Sequence, residues 1–175
     1  MHLCLISIAI VTFGVLVRLL PHAPNIAPIG ALMLFAGTYL PKKLLWLPLL
    51  ALLISDYFIG FYGTDMFYVY GSFVLIGTIG LWLCSHKKPL YIIGGSLSSS
   101  ILFFLITNFG VWAPPNNWYP HTLDGLIQSY TLAIPFFRNS LIGDVTYTIL
   151  LFGGYEMIQK FAKKYLPEKV FKLAF

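Results

Sequence analysis

Six apolar runs, at about residues 3–20, 26–40, 44–62, 67–84, 90–113 and 126–155, follow one another with only short polar or proline-containing breaks. A chain patterned this way has nowhere to put a water-facing layer. It is 58% hydrophobic and 10% charged over 175 residues, whereas soluble domains are about a quarter charged. The polar surface is too small to cover a folded body of this size in water. The runs are therefore expected as helices in lipid, where about 20 apolar residues cross the hydrocarbon. The expected fold is all-α: a polytopic membrane helical bundle of about six transmembrane helices in a single integral membrane domain, residues 1–175. Helices are expected near 3–20, 26–40, 44–62, 67–84, 90–113 and 136–155, with a basic tail over 156–175. The second run is short enough to cross obliquely or only in part. The last is too long for one span, and Pro135 implies an interfacial turn before a helix starting near Phe136. The first run reads as a transmembrane helix rather than a secretory signal. No basic residue precedes it, no small-residue cleavage site closes it, and Arg18 stands at its far end.

The basic residues set an orientation. Lys42 and Lys43 fall between helices 2 and 3, Lys87 and Lys88 between helices 4 and 5, and Lys160, Lys163, Lys164, Lys169 and Lys172 in the tail. Every lysine then lies on one side of a six-helix arrangement, while the opposite loops carry Asp65 and Asp124. The positive-inside rule puts both termini in the cytoplasm, with helix 1 running outward. The net charge of +5 is accounted for by topology and lipid headgroups, without nucleic acid as a partner.

With the orientation fixed, the polar residues inside the runs fall at one depth. Arg18 sits near the outer end of helix 1 and Asp56 in the outer half of helix 3. Helix 5 adds Thr107, Asn108 and Trp112, and helix 6 adds Arg138, Asn139 and, one to two turns deeper, Asp144. A charge at membrane depth costs about 2.5–3.5 kcal/mol, so such residues face a cavity or a partner. Two readings stay open: structural ion pairs, or a pocket. The arginines could also snorkel to the outer headgroups, an escape closed to the short carboxylates.

The loop "APPNNWYPHTLDG", residues 113–125, is stiffened by three prolines and carries Trp118 and Tyr119; it suits a lid or an aromatic belt. "GGSLSSS", residues 94–100, holds three overlapping pairs of small residues four apart, which permit close helix contact, intramolecular rather than between copies. Catalytic and metal readings lack support. Cys4 and Cys84 lie in no CxxC pattern. His2, His22, His86 and His121 are scattered, so that only His22 and His121 could meet on the outer side. No nucleophile elbow, phosphate loop or zinc signature occurs, and no cofactor is expected. Asp56 and Asp144 could be pictured as the pair of an intramembrane aspartyl hydrolase, but its flanking motifs are missing.

The blocks "RLLPHAPNIAPIGALMLFAG", "LISDYFIGFYG", "FFLITNFGVWA" and "IPFFRNSLIGDVTYTILLFGG" resemble those of an uncharacterised, domain-of-unknown-function family of small bacterial membrane proteins. In layout the chain is similar to the substrate-binding S subunits of energy-coupling-factor transporters. The run "PIGALMLFAGTYLPKKLLWLPLLALLISDYF" resembles their second and third helices. That resemblance implies a multi-pass protein of the bacterial inner membrane, not an enzyme. It would capture a small vitamin-like or otherwise partly anionic solute at the outer face and pass it inward with a transmembrane coupling subunit and its ATPases. Helix 1 departs from the pattern, offering Ser7, Ala9 and Gly14 in place of a clean AxxxA docking stripe. On this reading Arg18 and Arg138 bind the anionic group of the solute. Asp56 and Asp144 orient them or bind an amine. Asn25, Asn108 and Asn139 supply neutral hydrogen bonds, His22 is a further substrate-binding residue, and Tyr68, Tyr70 and Trp112 stack on a planar body. The alternative is a non-catalytic structural or assembly subunit of a membrane complex, whose polar cluster pairs only with itself.

Overall fold

Eight α-helices run along the described part of the chain: α1 (His2–Leu19), α2 (Ile29–Tyr39), α3 (Leu47–Ile59), α4 (Asp65–Leu83), α5 (Pro89–Trp112), α6 (Leu123–Thr131), α7 (Ile134–Thr148) and α8 (Gly154–Tyr165). A 3-10 turn at Lys42–Leu44 precedes α3, and a π-helical segment, Ile149–Gly153, joins α7 to α8. The computed structural model describes residues 2–21, 25–114, 118–165 and 167, with side chains from Ala9 onward. No strand occurs among them, so the fold is an all-α bundle. Three helical stretches are long and apolar enough to cross a membrane: Asp65–Leu83, Pro89–Trp112 and the continuous Ile134–Tyr165.

The centre of the bundle is its shortest apolar helix. Pro28 is the N-cap of α2 and every residue from Ile29 to Thr38 is buried. Eleven residues reach only ~16 Å, about half the hydrocarbon thickness. Helices α3, α4, α5 and α7 pack around it. A helix wrapped in protein has its backbone bonds satisfied wherever it ends, so it has no need to reach either face of a bilayer. Its contact with α4 is backbone against backbone: a Cβ on Gly37 would lie 2.7 Å from the Gly80 carbonyl carbon, and one on Gly80 would lie 2.7 Å from Leu34 O. The Thr38 hydroxyl donates to Leu34 O at 2.7 Å within α2 and reaches Gly80 O at 3.2 Å across the contact. Small residues here do what they do in membrane bundles generally, letting two backbones meet.

The serine-rich start of α5 is likewise an internal packing surface. Gly95 accommodates Leu83 and Ile79 of α4. Ser96, Ser99 and Ser100 are fully buried, and the Thr148 hydroxyl of α7 donates to Ser96 Oγ at 3.2 Å. Gly94 and Ser98, by contrast, face outward. Around the outside, large apolar side chains stand open, with Phe67 and Leu90 each 79% exposed. Exposed apolar surface of this extent is what an interaction site or a membrane contact requires.

In the C-terminal part the break before Pro135 falls where the sequence implied it, and the tail is what differs from the expectation. The run 126–155 is not one helix: Thr122 caps α6 by accepting from Gly125 N at 3.1 Å, and α7 restarts at Ile134 with Pro135 in its first turn. That proline has no N–H to lose there. The stretch expected as a basic tail continues as α8 to Tyr165. Its exposed Met157, Ile158 and Phe161 alternate with exposed Lys160, Lys163 and Lys164, the pattern of a helix lying along an interface.

The lysine-bearing turns meet at one end of the bundle. Lys87 Nζ lies 4.7 Å above the Tyr39 ring, and that ring packs on Tyr155 at 4.5 Å. The turns after α2 and α4 therefore join the start of α8, leaving the polar residues of α1, α3, α5 and α7 toward the other end.

Candidate functional site

Pro21 follows the end of α1 just beyond Arg18, which points at α3 rather than outward. Arg18 Nη1 lies 2.8 Å from Asp56 Oδ1 and donates to Leu52 O at 3.2 Å and to Ser55 Oγ. Asp56 is fully buried. Its Oδ2 accepts from the hydroxyls of Tyr62 at 3.1 Å and Tyr70 at 2.9 Å. Its Oδ1 has the arginine charge beside it but no well-directed hydrogen bond. The pair thus ties α1, α3, the loop after α3 and α4 together. Tyr62 can reach back because the helix is broken by Gly60 at φ 111° and the loop turns again at Gly63, φ 68°; only glycine holds such angles without strain.

Beside this pair lies a chamber of about 250 Å³. Arg18, Asn25, Tyr62, Ser140 and Asp144 form its polar wall, and Ile29, Leu52, Val69, Phe73, Ile76 and Phe103 its apolar wall. A second space of about 300 Å³ shares Asn25, Tyr62, Val69, Phe103 and Ser140 with it and adds Asp65, Thr107, Asn108 and Val111. These last residues stand at the ends of α4 and α5, so the second space is a vestibule toward the end of the bundle opposite the lysines. At ~1.5 Å per residue Asp144 lies ~15 Å along α7 from Ile134, at the depth of the inner chamber.

Asp144 is the most unusual group in it. Its Oδ2 accepts from the Ser100 hydroxyl at 2.6 Å. Its Oδ1 is packed against Gly30, where a Cβ would stand only 2.5 Å away. Gly30 belongs to the first turn of α2, a helix with no side-chain cap of its own, so the carboxylate occupies the positive end of that helix. Among the described residues no arginine, lysine or histidine pairs with it, and Arg18–Asp56 is the ion pair that forms.

The sequence-expected residues divide. Arg18, Asn25 and Asp144 line the inner chamber, and Asn108 the vestibule. Asn108 donates to Phe104 O of its own helix at 2.8 Å, and Asn25 holds a left-handed backbone, φ 64°. Asp56 is close by but enclosed behind Arg18. Arg138 is exposed, and neither it nor Asn139 lines these spaces. Tyr68 fills the notch left by Gly110 and packs on Phe109 at 6.4 Å; it joins α4 to α5 and does not face the chamber. Trp112 donates to Pro120 O at 3.1 Å and packs on His121 at 5.5 Å, pinning the connection after α5. His22 lies outside the described residues.

Four residues of the site were not anticipated: Tyr62, Ser100, Ser140 and Gly30. Ser140 stands four residues before Asp144, on the same helix face, a signal the sequence did contain. The glycines around Tyr62 were another.

The family of unknown function DUF6580 matches residues 2–167. The chain belongs to that family. No curated protein and no solved structure matches it. Membership is consistent with the resemblance of the blocks quoted above to an uncharacterised family, and brings no activity with it. Asp56 and Asp144 have no hydrogen-bond partner in common among the described residues.

Proposed function

We propose that this protein is a multi-pass membrane protein that captures a small solute from the side opposite its lysines, in the manner of a transporter's substrate-binding subunit. The observation that carries the reading is the two-part cavity: a half-polar inner chamber continuous with a vestibule at the lysine-free end. A bundle built only for structure gains nothing from leaving a carboxylate beside an unfilled space. Pockets for small molecules combine apolar walls with a few placed polar groups, and this lining has both. By the positive-inside rule the lysine end is cytoplasmic and the vestibule faces out. The membrane is the bacterial inner membrane, and a coupling subunit with ATPases supplies energy. Binding needs no covalent step, so the protein acts as a carrier rather than an enzyme.

The competing reading, a structural or assembly subunit, draws on the Arg18–Asp56 pair, which is satisfied internally. It leaves Asp144 and the chamber without a purpose. Native mass spectrometry of the detergent-purified protein separates the two. The solute reading expects a co-purified small molecule in the parent that is absent from Ser140→Phe, which plugs the junction of the two spaces. The same molecule retained by the plugged variant would place binding elsewhere.

A further inference from the structure

The charges around the chamber do not balance. Arg18, the one cation on its wall among the described residues, is neutralised by Asp56 at 2.8 Å. Asp144 has a hydroxyl donor and no cation. The vestibule adds Asp65 and, among the described residues, again no cation. Arg138 is exposed away from both spaces, and the described lysines gather at the far end. The first turn of α2 offers Asp144 about half a positive charge, too little to cancel a carboxylate. On the opposite wall Phe73 and Phe103 pack together with centroids 5.1 Å apart. Aromatic faces carry the negative end of the ring quadrupole, so they attract cations and repel anions.

We propose that the chamber selects a solute bearing a positively charged nitrogen, with Asp144 as its counter-ion and the Phe73–Phe103 pair against its apolar body. The inference rests on the chambers being a solute site, and it reverses the sign suggested by two arginines in the sequence. No hydrogen bond reaches Asp144 Oδ1 among the described residues, so that oxygen is open to an N–H or an alkylammonium group, while Oδ2 stays anchored by Ser100. Gly30 is what keeps Oδ1 clear, since any side chain there would meet it. Ser140 and Asn25 add neutral polar atoms on the way in.

The test reads the sign of the field at the junction, without knowing the solute. Ser140→Cys is placed in a Cys4→Ser, Cys84→Ser background and treated in detergent with two thiol reagents of matched reactivity. One, a methanethiosulfonate, carries a trimethylammonium group; the other carries a sulfonate. Each rate is divided by that for a free thiol. With the Asp144 carboxylate one turn away, the ammonium reagent is expected to react faster by at least about tenfold. Asp144→Asn, which keeps the shape and the Ser100 contact, is expected to bring the ratio near one. A sulfonate reagent that reacts as fast or faster in the Ser140→Cys protein alone overturns the charge assignment, as does a ratio indifferent to Asp144→Asn. Either result leaves the solute site standing. Failure of both reagents, and of an uncharged methyl methanethiosulfonate run as a third, would show that water does not reach the chamber, and would remove the solute reading along with this one.

Discussion

Removing Arg18 should cost far more than removing its partner. Arg18→Met keeps the bulk of the stem and deletes the guanidinium. Asp56, with 0% of its side chain exposed, then retains only the hydroxyls of Tyr62 and Tyr70. At 2.8 Å the lost attraction is about 6 kcal/mol for an effective dielectric of ~20. The desolvation that the pair had already suffered offsets part of this, and stranding one member of a buried pair costs about 3–5 kcal/mol. Asp56→Asn is milder. The amide still accepts from the tyrosines, and Arg18, 15% exposed, keeps Ser55 and Leu52 O and can lean into the chamber; about 1–3 kcal/mol is expected. The double variant Arg18→Met, Asp56→Asn should resemble Asp56→Asn alone, so the coupling energy should match the cost of Arg18→Met, about 3–5 kcal/mol. Denaturant titration in mixed micelles, followed by tryptophan fluorescence, measures all four proteins. Single costs that add to within about 0.5 kcal/mol would mean that Arg18 is held independently of Asp56. Its fork would then be free for an anionic solute, and the account of the site given above would be wrong.

Glycines of the bundle should divide sharply by what their missing side chain would meet. Gly37→Ala thrusts a methyl at the α4 backbone and should lose about 2–3 kcal/mol, while Gly71→Ala, with nothing within 4 Å, should be neutral or gain up to about 1 kcal/mol from helix propensity; the same micelle titration reads both. Gly30→Ala should displace the Asp144 carboxylate and cost about 1–3 kcal/mol. Adding Asp144→Ala should recover part of that loss, and strict additivity in the double variant would show that the two do not touch.

Depth was legible in the sequence and direction was not. Counting along helices of alternating orientation put Arg18, Asp56, Asn108 and Asp144 toward one end, and the structure has them there. Which aspartate took the arginine could not be read. That choice depends on how each helix is rotated about its axis, and helices apolar on every side carry no periodic mark of rotation. The same lack hid Tyr68 and Trp112, whose rings serve the α4–α5 contact and the following loop, and Arg138, which turns outward. Tyr62 was lost for another reason. An apolar run does not show where its helix stops, and Gly60 and Gly63 release that tyrosine to return to Asp56. Ser100 was seen as a packing residue, and it is one, but its hydroxyl is also the anchor of Asp144.

The shortness of α2 bears on how the protein is made. In the bilayer proposed for it, a helix of ~16 Å has no stable station of its own when it leaves the ribosome. Its place exists only once Gly77 and Gly80 of α4 have arrived to receive Met33, Leu34 and Gly37. Until α4 is synthesised, some 40 residues later, α2 must wait beside α1 or within the insertion machinery. The polar chamber, whose floor includes Ile29 and Gly30, is therefore among the last parts of the molecule to form. A substitution that weakens the α2–α4 seam would act first on the yield of inserted protein, before any effect on what the chamber holds.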